Sequence, residues 1–288
     1  MGRRVYQGSC GFGISMRDAR TNMRTIESRI RRTGRVVLML DFDGTISPFA
    51  KTPEAAVVSR SARASLNELR RYIPIVIVSG RPLSVVRKKM GIAGLAYIGS
   101  HGIEMQLGSR RSVMSVPARC MHDIAAVRVI STEIARKYKG VIIENKRWAL
   151  SAHFRALSHS ERRAFRAKLL KHTAPVVRRN RINVTVHDVA LEFRPDIPWN
   201  KGTAARRALR LIGKGIPATP IYIGDEPSDE DVFRALPHGI MIRVGRSGGS
   251  AARYRFRTRT EVDRFLQRFL KLIRSGELAA THVARKKK

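Results

Sequence analysis

The stretch Val36-Val37-Leu38-Met39-Leu40-Asp41-Phe42-Asp43-Gly44-Thr45 decides the fold. Five apolar residues, two of them β-branched, read as a buried strand, and the run stops at two carboxylates one residue apart. A strand of a parallel sheet delivers its carboxyl end to the crevice where open α/β sheets bind ligands. Two acids there repel each other unless a cation or proton chemistry offsets the repulsion. Gly44 lets the chain turn away sharply and lets a ligand approach the backbone. Taken alone, the segment reads equally well as a strand ending in a solvated Asp-rich turn. The surrounding chain decides between the two.

Outward from this strand, apolar runs and helical patterns alternate. A helix is expected around Ser61–Tyr72, a strand at Ile73–Val78, a helix opening at Pro82 and running to Met90, and a strand at Leu95–Ile98. Much later come a helix at Lys201–Ile212, strands at Pro220–Ile223 and Ile240–Val244, and a closing helix at Thr260–Ile273. This alternation implies a parallel sheet with right-handed crossovers, an α/β fold. The middle breaks the rhythm. A helix over about 118–138, a hairpin over 141–155, a basic helix at Ser160–His172 and a strand pair at Ile182–Val186 and Ala190–Phe193 read as a second, smaller α+β domain. His187 and Asp188 fall at the turn of that pair and read as structural. The boundaries are a basic leader at 1–34, a core at 35–108 and 196–274, an insert at 109–195 and a basic tail at 275–288. Gly8 to Gly13 is loop-like, and Met16 and Met23 are candidate starts of a shorter protein.

The chain of 288 residues carries 57 Lys and Arg against 22 Asp and Glu, a net charge of +35. Such a charge attracts polyanions nonspecifically and favours the approach of anionic substrates. The basic residues are spread. Nine Arg lie within residues 1–35, nine Lys and Arg within 155–181, and the chain ends Arg285-Lys286-Lys287-Lys288. Aromatics are not interleaved with them, and no zinc-finger or RRM-type pattern occurs, so the charge reads as solvated surface. Two cysteines, Cys10 and Cys120, make neither a disulfide framework nor a CxxC metal site. No apolar run approaches a membrane span and no apolar stretch follows Arg3 and Arg4, so a cytoplasmic protein without a membrane partner is expected.

Four segments fall at the carboxyl ends of core strands or at a helix start: Asp41/Asp43, Ser79-Gly80-Arg81, Lys201-Gly202, and Gly224-Asp225-Glu226-Pro227-Ser228-Asp229. They combine a nucleophile candidate, a hydroxyl with backbone donors, a lysine and an acid cluster, which are the parts phosphoryl transfer uses. Magnesium prefers one or two carboxylates plus waters and phosphate, which suits Asp41 and Asp225.

In this order the four segments resemble the motifs of the haloacid dehalogenase-like phosphatases, with the insert in the type C2 cap position between the second and third motifs. The resemblance implies a Rossmann-like parallel-sheet core. Finer matches (Ser100-His101-Gly102-x-Glu104, Glu144-Asn145-Lys146, His153-x-Arg155, Leu191-Glu192-x-Arg194-Pro195) are similar to trehalose-6-phosphate phosphatases over about residues 35–272. One departure is Glu226, where that family commonly has a second Asp. The resemblance implies a magnesium-dependent phosphatase that hydrolyses trehalose 6-phosphate through an aspartyl-phosphate. Asp41 is then the nucleophile and Asp43 the proton carrier. The metal sits on Asp41, Asp225 and the Asp43 carbonyl, with Asp229 behind it. Ser79, Gly80 and Lys201 hold the phosphate, and Arg81, His101, Glu144, Lys146, Arg155 and Glu192 bind the substrate. Functional pairing with a trehalose-6-phosphate synthase follows from the same likeness. Phosphatases of sucrose-, mannosylglycerate- or glucosylglycerol-phosphate and phosphomutases share these motifs. A basic nucleic-acid-binding protein on this scaffold is the alternative of a different class.

Overall fold

The computed structural model describes residues 5–6, 16–50, 52–179, 181–245 and 249–278. In chain order the strands are β1 (Val5–Tyr6), β2 (Arg17–Asp18), β3 (Val36–Asp41), β4 (Ile75–Val78), β5 (Ala96–Gly99), β6 (Glu104–Leu107), β7 (Arg110–Val113), β8 (Ile142–Asn145), β9 (Leu150–His153), β10 (Ile182–Val186), β11 (Ala190–Pro195), β12 (Thr219–Gly224), β13 (Ile240–Val244) and β14 (Tyr254–Phe256). The helices are α1 (Met23–Thr33), α2 (Arg60–Leu69), α3 (Leu83–Met90), α4 (Ala118–Ala135), α5 (His159–Val177), α6 (Lys201–Gly213), α7 (Glu230–Ala235) and α8 (Arg259–Arg274), with short 3-10 turns at Ser100–Gly102 and Pro227–Asp229. They form two compact units. One is Met114–Pro198 with β1, and the other holds the described residues of Cys10–Val113 and Trp199–Lys288.

The larger unit is built on a nine-stranded sheet of order β2-β14-β13-β12-β3-β4-β5-β6-β7. It is parallel from β2 to β5, and β6 and β7 extend it antiparallel. All six residues of β3 are buried. Their alternation sends Val36, Leu38 and Leu40 into one apolar cluster and Val37 and Met39 into the other. A strand covered on both faces reads as a continuous apolar run, which is why β3 was legible without a period of two. Each such side chain contributes about 1.5–3 kcal/mol by burial. Register fixes the working edge. Leu40 pairs with Ile223 of β12, and Asp41 pairs with Val78 of β4. Asp41, Ser79 and Asp225 therefore emerge together at the carboxyl ends of three adjacent strands.

Local signals start the helices that flank the site. Ser59 caps α2 by accepting from the Ala62 N–H at 3.1 Å. α6 opens with a capping box in which the Asn200 side chain accepts from the Thr203 N–H at 2.9 Å while Thr203 Oγ1 accepts from the Asn200 N–H at 2.8 Å. Gly202 lets α6 lie against α7, since a Cβ there would sit 2.1 Å from the Asp231 carbonyl oxygen. That contact sets the depth of the neighbouring Lys201.

The smaller unit has a sheet of order β1-β10-β11-β9-β8, antiparallel apart from β1 on β10. Its core joins Ile124 and Val127 of α4, Phe165 and Leu169 of α5, and Leu150, Leu191 and Phe193 of the strands. The Phe154 and Phe165 rings lie 5.4 Å apart at its centre. α5 begins on a Ser158–Glu161 capping box. No helix among the described residues is long and apolar enough to cross a membrane.

Three features depart from the sequence reading. The hairpin β6–β7 continues the core sheet, so the smaller unit starts at Met114 and ends at Pro198 instead of spanning 109–195. β7 is exposed throughout and arginine-rich, so it shows no apolar pattern. Within the stretch taken as a leader, β2 extends the core sheet and α1 buries Ile26 and Ile30 in the core. Ile26 and Ile30, with part-buried Met23 packed beside them, form a narrow apolar stripe among the arginines of α1, too weak a pattern to mark a core element in the sequence. Of the stretch taken as a tail, Leu278 is buried in the same core. The loop reading for Gly8 to Gly13 and the basic run Arg285 to Lys288 lie outside the described residues. If α1 is a core element, Ile26→Ala should lower unfolding stability by about 2–5 kcal/mol in urea titration, the usual cost of truncating a buried Ile. A loss below about 0.5 kcal/mol, typical of surface positions, would place α1 outside the cooperative fold.

Candidate active site

Asp41 closes β3 and is 1% exposed. Its Oδ1 accepts from Lys201 Nζ at 2.8 Å. The same ammonium donates to Asp229 Oδ1 at 2.8 Å and to Glu226 Oε2 at 3.4 Å, and Lys201 is fully buried. Burial alone would pull the Lys201 ammonium toward its neutral form. The carboxylates of Asp229, Asp41 and Glu226 outweigh that and hold it charged, well above the ordinary lysine range. One cation does not balance the acids gathered here. Burial pushes Asp41 well above the usual carboxylate range, and Lys201 counters this only in part. Asp225 is raised as well, by burial first and then by the charges of Glu226 and Asp229.

Carboxylate oxygens of Asp41, Asp225 and Asp229 lie within 4.8 Å of one another, a group able to hold a metal ion. Their hydrogen bonds divide them. Asp229 is fully committed: Oδ1 accepts from Lys201 and from Tyr222 Oη at 2.6 Å, and Oδ2 accepts from the Glu226 N–H at 2.8 Å. Asp225 accepts from Thr45 Oγ1 at 2.8 Å. Asp41 Oδ2 is buried with no hydrogen-bond partner, a costly state for a carboxylate oxygen unless a cation meets it. The donor set, all hard oxygen with surplus negative charge, fits a divalent cation of the magnesium type. Gly44 makes room for the Asp225 carboxylate. At φ +73° it adopts a conformation glycine favours, and a Cβ there would lie 2.1 Å from Asp225 Oδ2.

Ser79 follows β4 and is 1% exposed. The turn after β5 packs on its loop. The Ser100 N–H donates to the Arg81 carbonyl at 2.7 Å and the His101 N–H to the Ser79 carbonyl at 3.1 Å. Ser100 and His101 both have positive φ, 51° and 54°, a strain of about 1–3 kcal/mol at each non-glycine residue. Glu104, 2% exposed, braces that turn by accepting from Ser100 Oγ at 2.8 Å, the Leu83 N–H at 3.0 Å and Arg111 Nη2 at 3.0 Å. His101 is 5% exposed, and its ring lies where a Cβ on Gly80 would go, at 2.6 Å. His101 thus shapes the Ser79–Arg81 loop from beneath.

Arg81, expected from the sequence to bind the substrate, is paired here within the protein. Its guanidinium grips Asp43 with two bonds, Nε to Oδ2 at 2.6 Å and Nη2 to Oδ1 at 2.7 Å, and donates from Nη1 to the Pro53 carbonyl at 2.9 Å. The reason is proximity: β3 and β4 are adjacent, so residues just past their ends face each other. Arg243 is a residue the sequence reading missed. It lies on β13, 8% exposed, and donates from Nη2 to the Asp225 carbonyl at 2.6 Å and from Nη1 to the Glu226 carbonyl at 3.0 Å. Glu230 joins it at 3.3 Å and also accepts from the Ala251 N–H at 2.8 Å. An arginine inside an otherwise apolar β-strand was the available signal.

In the smaller unit, Glu144, Lys146 and Glu192 come together. Lys146 Nζ donates to Glu192 Oε1 at 2.8 Å and lies 3.9 Å from Glu144 Oε2. Ser151 Oγ also donates to Glu192 Oε1, at 3.2 Å, and His153 Nε2 lies 2.8 Å from Glu144 Oε2. Register explains the grouping, because Glu192 pairs with Ser151 and Glu144 pairs with Ser151 from the other side. Arg155 is exposed beyond β9, where its carbonyl accepts from Arg162.

Because Asp41 and Asp225 are raised in the folded state, the metal-free fold holds protons that the unfolded chain has released. Their contribution to stability therefore falls as pH rises above the ordinary carboxylate range. A divalent cation binds the ionised pair, so magnesium should raise Tm more at about pH 8 than at about pH 5.5. Arg243→Gln, which frees the Asp225 and Glu226 carbonyls, should shrink that rise. Calorimetric scans with and without the ion check both, and a magnesium effect independent of pH would contradict the site.

Residues 39–256 match the trehalose-phosphatase family. A "Probable trehalose-phosphate phosphatase D" of Arabidopsis thaliana is 30% identical over 251 residues, 82% of this chain and 67% of that protein. A "Trehalose-phosphate phosphatase" of Mycobacterium marinum is 32% identical over 223 residues, 73% of this chain but 54% of its own length. The C-terminal domain of the C. albicans trehalose-6-phosphate phosphatase superposes with a TM-score of 0.80 at 21% identity, covering 91% of this chain and 99% of that one, and it shares the fold. On the family match and these identities, the chain belongs to the trehalose-phosphatase family of phosphoric monoester hydrolases.

Proposed function

We propose that this chain hydrolyses trehalose 6-phosphate to trehalose and phosphate with magnesium, through a phosphorylated Asp41. The observation that carries the reading is Asp41 itself: a buried carboxylate at a strand end, one oxygen pinned by Lys201 and the other unpartnered, beside Ser79. Pinning one oxygen aims the carboxylate without consuming it, which suits a nucleophile that must approach phosphorus along one line.

In the first step an Asp41 oxygen bonds to phosphorus while the bond from phosphorus to the sugar oxygen breaks. Asp43 passes a proton to that departing oxygen. In the second step water attacks phosphorus, Asp43 takes the water's proton, and Asp41 is released with inorganic phosphate. Ser79, the Gly80 backbone and Lys201 hold the phosphoryl oxygens throughout. Asp41, Asp225 and the Asp43 carbonyl would hold the magnesium ion, which when bound offsets negative charge between the nucleophile and the phosphate. Sugar selection is assigned to Glu144, Lys146 and Glu192 of the smaller unit, with Arg155 as an outer contact. A site made of part-buried polar groups rejects sugars that leave those groups unpaired. Family membership and the names of the relatives support the sugar assignment.

The test is magnesium-dependent phosphate release from trehalose 6-phosphate, sucrose phosphate, mannosylglycerate phosphate and glucosylglycerol phosphate. Trehalose 6-phosphate should have the highest kcat/KM. Glu192→Ala should lower kcat/KM on trehalose 6-phosphate by about 10-fold or more while p-nitrophenyl phosphate hydrolysis changes less than about twofold. Equal losses on the two substrates would remove Glu192 from sugar selection. A better substrate elsewhere in the panel, or phosphate returned to sugar without release, would overturn the assignment.

A further inference from the structure

We propose that Arg81 is the positioning residue for Asp43, holding the proton carrier in line with the phosphate loop, and that it does not bind the sugar. The proposal rests on the reading of Asp43 as proton carrier. Every polar group of the Arg81 side chain has protein work. The fork from Nε and Nη2 meets both oxygens of Asp43, at 2.6 and 2.7 Å, and Nη1 reaches the Pro53 carbonyl at 2.9 Å. The guanidinium carbon lies 5.6 Å from the centre of the Phe42 ring, and the residue is 8% exposed. A planar fork on a carboxylate fixes its plane as well as its distance, which a lysine cannot do.

The geometry also links two parts of the reaction. The Arg81 N–H donates to Ser79 Oγ at 3.1 Å, so one residue joins the loop that holds phosphate to the carboxyl that serves the leaving oxygen. Asp43 needs this help. It lies past the end of β3 in a tight turn, where the N–H groups of Ile46 and Ser47 both return to the Phe42 carbonyl, and its side chain is only part buried. Packing alone does not fix its rotamer. Two donors allow one bond to keep the carboxyl in place while the other oxygen carries the proton.

The test is a double-mutant cycle with Arg81→Gln, Arg81→Lys and Asp43→Asn, each checked for folding by thermal unfolding. Arg81→Lys keeps charge and most of the bulk but cannot form the fork, so it serves if the glutamine variant fails to fold. Either variant should lower kcat on trehalose 6-phosphate by about 10- to 100-fold, at or below the roughly 100- to 10,000-fold that a general acid–base group contributes, because Arg81 acts only through Asp43. KM should stay within about threefold, because ground-state binding is not removed. On p-nitrophenyl phosphate the loss should be smaller, since p-nitrophenolate leaves without a proton. In the Asp43→Asn background the Arg81 substitution should change kcat less than about twofold, the non-additivity expected when one residue acts only through the other.

A raised KM with unchanged kcat would make Arg81 a substrate ligand and overturn the proposal. Full activity in Arg81→Lys would overturn the need for a fork. If Asp43→Asn is slow and the Arg81 loss persists undiminished on top of it, the coupling alone fails. If Asp43→Asn keeps full turnover on the sugar phosphate, the role of Asp43 fails and this proposal fails with it.

Discussion

The arrangement depends on one buried ammonium. Lys201 Nζ sits between Asp41 and Asp229, with Glu226 at its edge, and none of it reaches solvent. Removing one partner of such a buried pair typically costs about 3–5 kcal/mol, since the others are left uncompensated. The surrounding structure serves to place it. The Asn200 cap starts α6 at Lys201, and Gly202 lets that helix settle against α7. β12, paired with β3, sets the start of the loop carrying Asp225, Glu226 and Asp229. The cluster still carries more negative charge than the lysine neutralises. Burial first, and then that imbalance, raise Asp41 and Asp225, and the surplus charge makes the site receptive to a divalent cation.

The protein's own field has the opposite sign. A cluster of acids lies inside a chain whose net charge is +35. Diffuse positive charge favours the approach of anions, while the local surplus of carboxylates favours a cation within the cluster. Bulk charge and site charge thus act at different ranges. The first bears on encounter and weakens with salt, and the second bears on chemistry within a few ångströms.

Most of the core was legible because its strands are short, apolar and buried on both faces, and because β3, β4 and β12 lead into candidate site residues. Asp41, Ser79, Lys201 and Asp225 could be placed at one edge from strand and helix ends alone. The elements that escaped have weak patterns for physical reasons. β7 is an exposed antiparallel edge strand, β14 is three residues long, and α1 buries a stripe of two isoleucines amid arginine. Side-chain partnerships across elements were not legible at all. That Arg81 turns to Asp43, and that Arg243 reaches the carbonyls of Asp225 and Glu226, follows from neighbouring strands whose pairing a linear sequence does not display. The polar cluster of the smaller unit was readable as residue types, yet its inner wiring through Ser151 and His153 depends on strand register.

The most direct measurement is to mix the enzyme with magnesium and trehalose 6-phosphate, quench in acid within a turnover, and locate any phosphoryl group by peptide mass spectrometry. Hydrolysis through a phosphorylated Asp41 requires a transient phosphoryl group on that aspartate in the peptide containing it, absent from Asp41→Asn. Steady phosphate release with no label on Asp41, or a label on another residue, would contradict it.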